Sequence, residues 1–279
     1  MILSVFRLLS RLPLRWLHGL GAAMGWAAFL ASPVWRQRFR DNAAQAGYRF
    51  SQVRPAVAHI GRMVGELPRL WFGAPAPVSW DNVEVLEAAY ARGAGVILLT
   101  PHLGCFEVVA QAVASRQLAH GPLTVMFRPA RKPWLAPLVA ASRQRPGLEA
   151  VPTSLAGVRQ MIKALRQGRA VGLLPDQVPP EGMGVWAPFF GKPAYTMTLA
   201  ARLALQTGAQ VCLLWGERLP GGRGYLLHAR ALREPLSGTL DEAVAQMNAE
   251  MERVVRECPQ QYLWSYARYK QPRAQLAQA

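Results

Sequence analysis

Cysteine is scarce in this 279-residue chain, with only Cys105, Cys212 and Cys258. They are odd in number, far apart and without metal-ligand spacing, which argues against a disulfide framework or a zinc site. Such usage suits a reducing, cytosol-facing compartment. Acidic residues are also few, 16 Asp+Glu against 32 Lys+Arg, and the formal net charge of +16 favours an anionic partner. Phospholipid headgroups, nucleic acid and an acidic protein all qualify. A nucleic-acid reader concentrates its basic residues on one recognition element, whereas these are spread along the chain and denser only at the N-terminus, so no nucleic acid is expected. Internal repeats and low-complexity linkers are missing, and the 51% hydrophobic content suffices for one large core or two modest ones.

Formal charge is also missing from twenty consecutive residues between Arg15 and Arg36, "WLHGLGAAMGWAAFLASPVW". As one helix they would reach about 30 Å, enough to cross a hydrocarbon core. Gly19, Gly21 and Gly25 weaken the helix and permit close packing, while Trp16, Trp26 and Trp35 suit a membrane interface. Arginines flank the segment on both sides, so the positive-inside rule gives no orientation, and a spanning helix and a monotopic one remain open. The expected organisation is a membrane anchor over 1–40, one catalytic domain over 41–270 and a flexible tail over 271–279.

Beyond the anchor, mixed helical patterns run to residue 92, and the apolar run "GAGVILLT" at 93–100 reads as a buried strand. A helix over 104–117 and a strand over 123–127 follow. "SLAGVRQMIKALRQG" places Leu155, Val158, Met161, Ile162 and Leu165 at helical spacing and closes on Gly168. "RAVGLLP" is another core strand, 175–195 a Pro/Gly-rich loop, "TMTLAARLALQTG" a helix and "AQVCLLWGE" a strand with "YLLHARAL" as hairpin partner. A last helix covers 239–257. This alternation predicts an α/β fold with a mostly parallel central sheet, helices on both faces and some antiparallel pairing late in the chain.

The sharpest chemistry lies in "LLTPHLGCFE", where His102 follows a buried strand at its C-terminal end, the edge at which α/β sheets place ligands. Glu107 falls near the first turn of the next helix, whose positive end favours a carboxylate. Residues five apart in one regular helix point roughly 140° from each other, so the two meet only if His102 stands in the preceding turn. If they meet, Glu107 orients the imidazole while the other ring nitrogen acts as general base. A hydroxyl needs such a base to attack a thioester at neutral pH. His18, His59, His120 and His228 have no acid five residues on and read as packing or surface histidines. "MFRPARKP" offers Arg128, Arg131 and Lys132 for phosphate or an acidic phosphopantetheine carrier, or as a solvated basic loop. Asp176 again ends a strand, and Trp186, Phe189, Phe190 and Tyr195 form either an acyl-chain wall or packing that pins the loop.

Taken in order, Asn42, "HLGCFE", "FRPARKP", "MIKALRQG", "LLPDQ", "PFFGKPAYT" and "QYLWSYARYK" resemble the late acyltransferases of lipid A biosynthesis, within the wider lysophospholipid acyltransferase superfamily. The resemblance covers most of the chain. It implies a glycerol-phosphate-acyltransferase-like fold with His102 as general base, Glu107 as its partner, and Arg128 and Asp176 near the substrate. It also implies acyl carrier protein as donor and partner, a hydroxyacyl chain of a Kdo-modified lipid A precursor as acceptor, and no metal or redox cofactor. The place implied is the cytoplasmic side of the cell inner membrane, against its phospholipid. Ala130 and Lys132 stand where relatives often carry asparagine, and Tyr266 where others place histidine. Alternatives are the same machinery acting on a lysophospholipid, glycerol phosphate, ornithine lipid or glycolipid, and a non-catalytic membrane-bound adaptor for lipid or carrier protein.

Overall fold

A computed structural model describes residues 2–116, 118–127, 136–143 and 145–274. Six helices come first: α1 (Ile2–Leu9), α2 (Leu14–Ala31), α3 (Pro33–Gln45), α4 (Phe50–Val53), α5 (Pro55–Gly65) and α6 (Leu67–Phe72). Alternation then begins with β1 (Val78–Asp81), α7 (Val83–Ala91), β2 (Val96–Leu99), α8 (Phe106–Arg116), β3 (Leu123–Phe127), α9 (Ala136–Arg143) and β4 (Leu148–Pro152). It continues through α10 (Leu155–Arg166), β5 (Ala170–Leu173), β6 (Gly184–Phe189), β7 (Lys192–Met197) and α11 (Leu199–Thr207). The chain closes with β8 (Gln210–Arg218), β9 (Tyr225–Ala231) and α12 (Leu240–Glu257).

Among the described residues, seven strands form one sheet in the order β1-β9-β8-β2-β5-β3-β4. Every neighbouring pair is parallel except β8 with β9, the expected late hairpin. Successive side chains of a strand point to opposite faces, and the core divides accordingly. Ile97, Leu99, Leu213 and Trp215 face one apolar cluster shared with α10, α11 and α12. Val96, Leu98, Cys212 and Leu214 face another, shared with α7 and α8. Both faces being covered explains why β2 reads as an unbroken apolar run. Helix α10 starts on Ser154, whose side chain accepts from the Gly157 N–H, and stops before Gly168, whose φ of +74° suits glycine.

The loop expected over 175–195 contains the hairpin β6–β7. Its prolines misled the pattern: Pro188 and Pro193 face each other across a two-stranded ribbon outside the main sheet, where a missing N–H costs little. Phe190 and Gly191 turn the ribbon with positive φ of 48° and 73°.

No single described helix is long and apolar enough to cross a membrane; α2 and α3 pass that test only as a pair bent by 101°. The bend sits at Ser32–Pro33, where Pro33 cannot continue the hydrogen bonding of α2 and Ser32 caps α3. Helix α2 buries one side on α5 through glycines. A Cβ on Gly61 would fall 1.9 Å from the Gly21 carbonyl oxygen, and one on Gly25 would fall 2.4 Å from that of Val57. Gly21 and Gly25 thus permit the close packing read from the sequence, while Gly19 has nothing within 4 Å. Phe29 and Phe39 join the core cluster of the sheet, so packing is continuous across residue 40.

Candidate active site

Neighbouring parallel strands β2 and β5 run in register, with Leu99 beside Leu173. Three residues beyond each comes a candidate site residue, His102 from one strand and Asp176 from the other, each just after a proline. The Thr100 N–H still donates to the Leu173 carbonyl at 3.0 Å, so the two strand ends are held together up to the site.

After Pro101 the chain does not enter a helix at once. Leu103 bridges Tyr262 and Gly104 bridges Gly216, and α8 begins only at Phe106. Gly104 is required here: its φ is +59°, and a Cβ would meet the Gly216 carbonyl oxygen at 2.1 Å. The Gly104 N–H donates to Gln261 O at 3.0 Å and the Cys105 N–H to Gly216 O at 2.7 Å. The Leu263 N–H donates to His102 O at 3.1 Å. The C-terminal stretch after α12 therefore clamps the turn that carries His102.

Asp176, only 2% exposed, grips His102 twice. Its Oδ2 accepts the His102 backbone N–H at 2.8 Å, and its Oδ1 lies 2.7 Å from His102 Nδ1. Burial alone would push this carboxyl up, but the charge and hydrogen bonds of His102, aided by the charge of Arg268, bring it below its ordinary value. Arg268 is buried and donates to the Tyr195 carbonyl at 2.8 Å and to Thr196 Oγ1 at 2.6 Å. Two residues past Asp176, the Val178 N–H donates to Tyr266 Oη at 2.9 Å. An ionised carboxylate can only accept, so Nδ1–H is the donor in this contact. The Nε2 atom lies 3.0 Å from Gln177 Nε2, and the Phe106 ring centroid is 5.0 Å from that of His102.

The carboxylate on His102 is thus Asp176, where the sequence suggested Glu107. His102 does stand in the turn before α8, as that suggestion required, but the two bridged residues and Cys105 separate it from the helix. Glu107, in the first turn of α8, accepts from the Trp71 indole N–H at 3.1 Å instead. Arg128, Arg131 and Lys132 lie outside the described residues.

Phe189 and Phe190 are 2% and 5% exposed and pack against each other, with Phe190 also against Trp264. With Tyr262 and Tyr269 they line a small hollow of ≈ 10 Å³. Hydrogen bonds pin the turn that carries them: the Phe190 N–H donates to Glu252 at 2.6 Å and its carbonyl accepts from Gln45 at 2.7 Å. Tyr195 Oη accepts from the Gly182 and Gly184 N–H groups, while Trp186 is 46% exposed.

Sequence reasoning missed the roles of Gln177, Gln261 and Arg268. The available signal was the matched strand endings "LLTPH" and "GLLPD", which place His102 and Asp176 at equal offsets once the two strands are known to be neighbours. A buried ionic knot was missed as well. Glu66 accepts from Arg218 at 2.9 and 2.7 Å and from Tyr225 Oη at 2.9 Å, and it lies 2.9 Å from His18 Nε2. It ties the end of α5 to β8, beside Gly216. Arg218 in turn exchanges two hydrogen bonds with the Gln261 side chain, which links the knot to the clamp on the His102 turn.

An imidazole oriented through Nδ1 by a buried carboxylate, at the C-terminal edge of a parallel sheet, has the geometry general-base catalysis requires. The neighbouring thiol is poorly suited to covalent chemistry, since Cys105 is buried and its pKa is raised by that burial. Such an arrangement in an α/β fold is chemically able to activate a substrate hydroxyl or water.

Residues 1–271 match the family described as bacterial lipid A biosynthesis acyltransferase, and the chain belongs to that family. It is 27% identical over 219 residues to the lipid A biosynthesis lauroyltransferase of Escherichia coli K12, covering 76% of this chain and 69% of that protein. To the palmitoleoyltransferase of the same strain it is 25% identical over 216 residues, with the same coverage. A phosphatidylinositol mannoside acyltransferase of Mycobacterium tuberculosis is 30% identical over 150 residues, 52% of this chain and 45% of that protein. The chain is accordingly an O-acyltransferase of lipid A biosynthesis.

Proposed function

We propose that this enzyme moves an acyl chain from the thioester of acyl carrier protein to a hydroxyl of a lipid A precursor, with His102 as general base and Asp176 as the carboxylate that orients it. The carrying observation is the 2.7 Å contact between His102 Nδ1 and Asp176 Oδ1. His102 Nε2 takes the hydroxyl proton as the oxygen attacks the thioester carbonyl carbon. The C–O bond forms, the tetrahedral intermediate collapses with cleavage of C–S, and the departing thiolate takes the proton from Nε2. Asp176 stays ionised throughout and stabilises the imidazolium. No metal or redox cofactor takes part in this reading. Both the carrier protein and the phosphorylated acceptor are acidic, which the net charge of +16 complements.

The reaction is placed at the cytoplasmic side of the inner membrane, against its phospholipid. Trp16, Leu20 and Met24, at four-residue spacing on α2, are 61%, 54% and 54% exposed. Leu8, Leu12, Leu30 and Val34, nearby in sequence, are exposed as well, as are Arg7, Arg11 and Arg15, and such apolar and basic surface suits the interface. Three free cysteines fit a reducing compartment.

The test is an in vitro transfer assay with a panel of acyl-carrier donors and two acceptors, the lipid A precursor and a mannosylated phosphatidylinositol. Acylation of the lipid A precursor is expected. The second acceptor is included because the 30% identity to the mannoside acyltransferase favours a glycolipid as the next candidate; acylation of that lipid alone would replace the acceptor assignment.

A further inference from the structure

We propose that Gln177 is a catalytic residue: its side-chain amide occupies the base nitrogen in the free enzyme and donates to the thioester oxyanion once the acceptor hydroxyl has displaced it. This rests on the reading of His102 as general base.

With Nδ1–H committed to Asp176, the Nε2 lone pair accepts from whatever donor lies 3.0 Å away, and that donor is the Gln177 amide N–H. A hydroxyl that is to lose its proton to Nε2 must approach within about 2.6–3.2 Å of the same atom, so it takes the position of the amide. Gln177 is half-buried, and its amide moves by side-chain rotation alone. Its N–H is then beside the attacking oxygen, and the carbonyl being attacked lies about 3–3.5 Å from that oxygen.

The oxyanion needs a donor, and the backbone N–H groups of residues 102–105 are all engaged. The His102 N–H is held by Asp176, the Leu103 N–H by Pro101 O, the Gly104 N–H by Gln261 O and the Cys105 N–H by Gly216 O. The Val178 N–H is held by Tyr266 Oη. Among the described residues, the polar side-chain donor that touches the reacting nitrogen is Gln177. One glutamine thereby serves both states: it satisfies the base while the site is empty, and its release from the base coincides with the arrival of the group whose attack creates the oxyanion.

Gln177→Leu keeps size and removes the donor. In single-turnover transfer from acyl carrier protein to the lipid A precursor it is expected to lower the rate about 10²–10³-fold, with acceptor KM within about twofold of wild type. The loss should appear in the plateau of the pH–rate profile, because an amide does not titrate. Gln177→Asn, whose shorter amide retains the donor, should recover part of the rate. A rate within threefold of wild type, a loss confined to KM, or a displaced pH limb with an unchanged plateau would overturn the role. Circular dichroism and thermal unfolding of Gln177→Leu should match wild type; if that variant is misfolded, a Gln177→Asn rate below a tenth of wild type supports the role and an unchanged one overturns it. Should His102→Ala keep full activity, the base assignment fails, and that is read from a different protein than any failure of Gln177.

Discussion

Leu99 and Leu173 are register partners on adjacent parallel strands, and His102 and Asp176 each follow by three residues, so the sheet itself brings imidazole and carboxylate to 2.7 Å. An Asp176→Asn substitution keeps the shape of this contact but offers an amide that can donate to Nδ1, which selects the tautomer with its proton on Nε2. The base nitrogen then has no lone pair. The expected loss in kcat is about 10²–10⁴-fold, measured by steady-state transfer, with little change in acceptor KM.

The glycine seam gives a paired prediction about stability. A Cβ on Gly61 would lie 1.9 Å from the Gly21 carbonyl oxygen, which is backbone and cannot swing aside, so Gly61→Ala forces α2 and α5 apart. The expected cost is roughly 1–3 kcal/mol. Gly19→Ala, in the same helix α2 with nothing within 4 Å, should instead stabilise by about 0.5–1 kcal/mol. Thermal unfolding of the two single variants beside wild type measures both signs at once.

Acid should unfold the protein in two stages. Burial, then the nearby charges of Arg218 and Arg62, hold the His59 imidazole down to about 3 from 6.5. Burial alone would raise the Glu66 carboxyl, but Arg218 and the bond to His18 bring it to about 2 from 4.5. Both groups bind protons more readily in the unfolded chain, so each adds stability above its unfolded pKa that is lost as pH falls towards its folded one. The melting temperature should begin to fall below pH 6.5 and fall more steeply below pH 4.5, with Asp176 acting in the same direction. Scanning fluorimetry across pH 8 to 3 follows it; a flat profile between pH 6.5 and 4.5 would speak against the depressed His59, and the lack of a steeper fall below pH 4.5 against the buried ionic knot.

The exposed face of α2 leads to a vesicle experiment. Replacing Trp16, Leu20 and Met24 together by serine removes large side chains that are each more than half exposed and so leaves the core untouched. Partition onto vesicles of anionic phospholipid is expected to weaken about 10- to 100-fold. Unchanged flotation would place the membrane contact elsewhere.

Much of this architecture was legible in the sequence because strands buried on both faces read as apolar runs and α10 announces its own ends through Ser154 and Gly168. The β6–β7 ribbon was hidden by Pro188 and Pro193, which mark loops in general and are tolerated here by an isolated hairpin. At the site, His102 and Asp176 were each visible as strand-end residues, but their pairing was not. Strand order is a tertiary property, and local spacing offered Glu107 as the nearer acid. What hid the clamp is similar: Gln261 and Leu263 reach the His102 turn through backbone groups, which leave no trace in side-chain chemistry. The charge-free stretch has the length of one long helix, but Pro33 breaks it, and its glycines serve packing on α5 that no hydropathy pattern reveals.

The most direct measurement is single-turnover transfer from acyl carrier protein to the lipid A precursor by wild type and His102→Ala, with products weighed by mass spectrometry and folding checked by thermal unfolding. Wild type should yield the acylated lipid, and the variant should retain its fold while losing about 10²–10⁴-fold or more in rate. A folded His102→Ala enzyme working at the wild-type rate would contradict the assignment of the base.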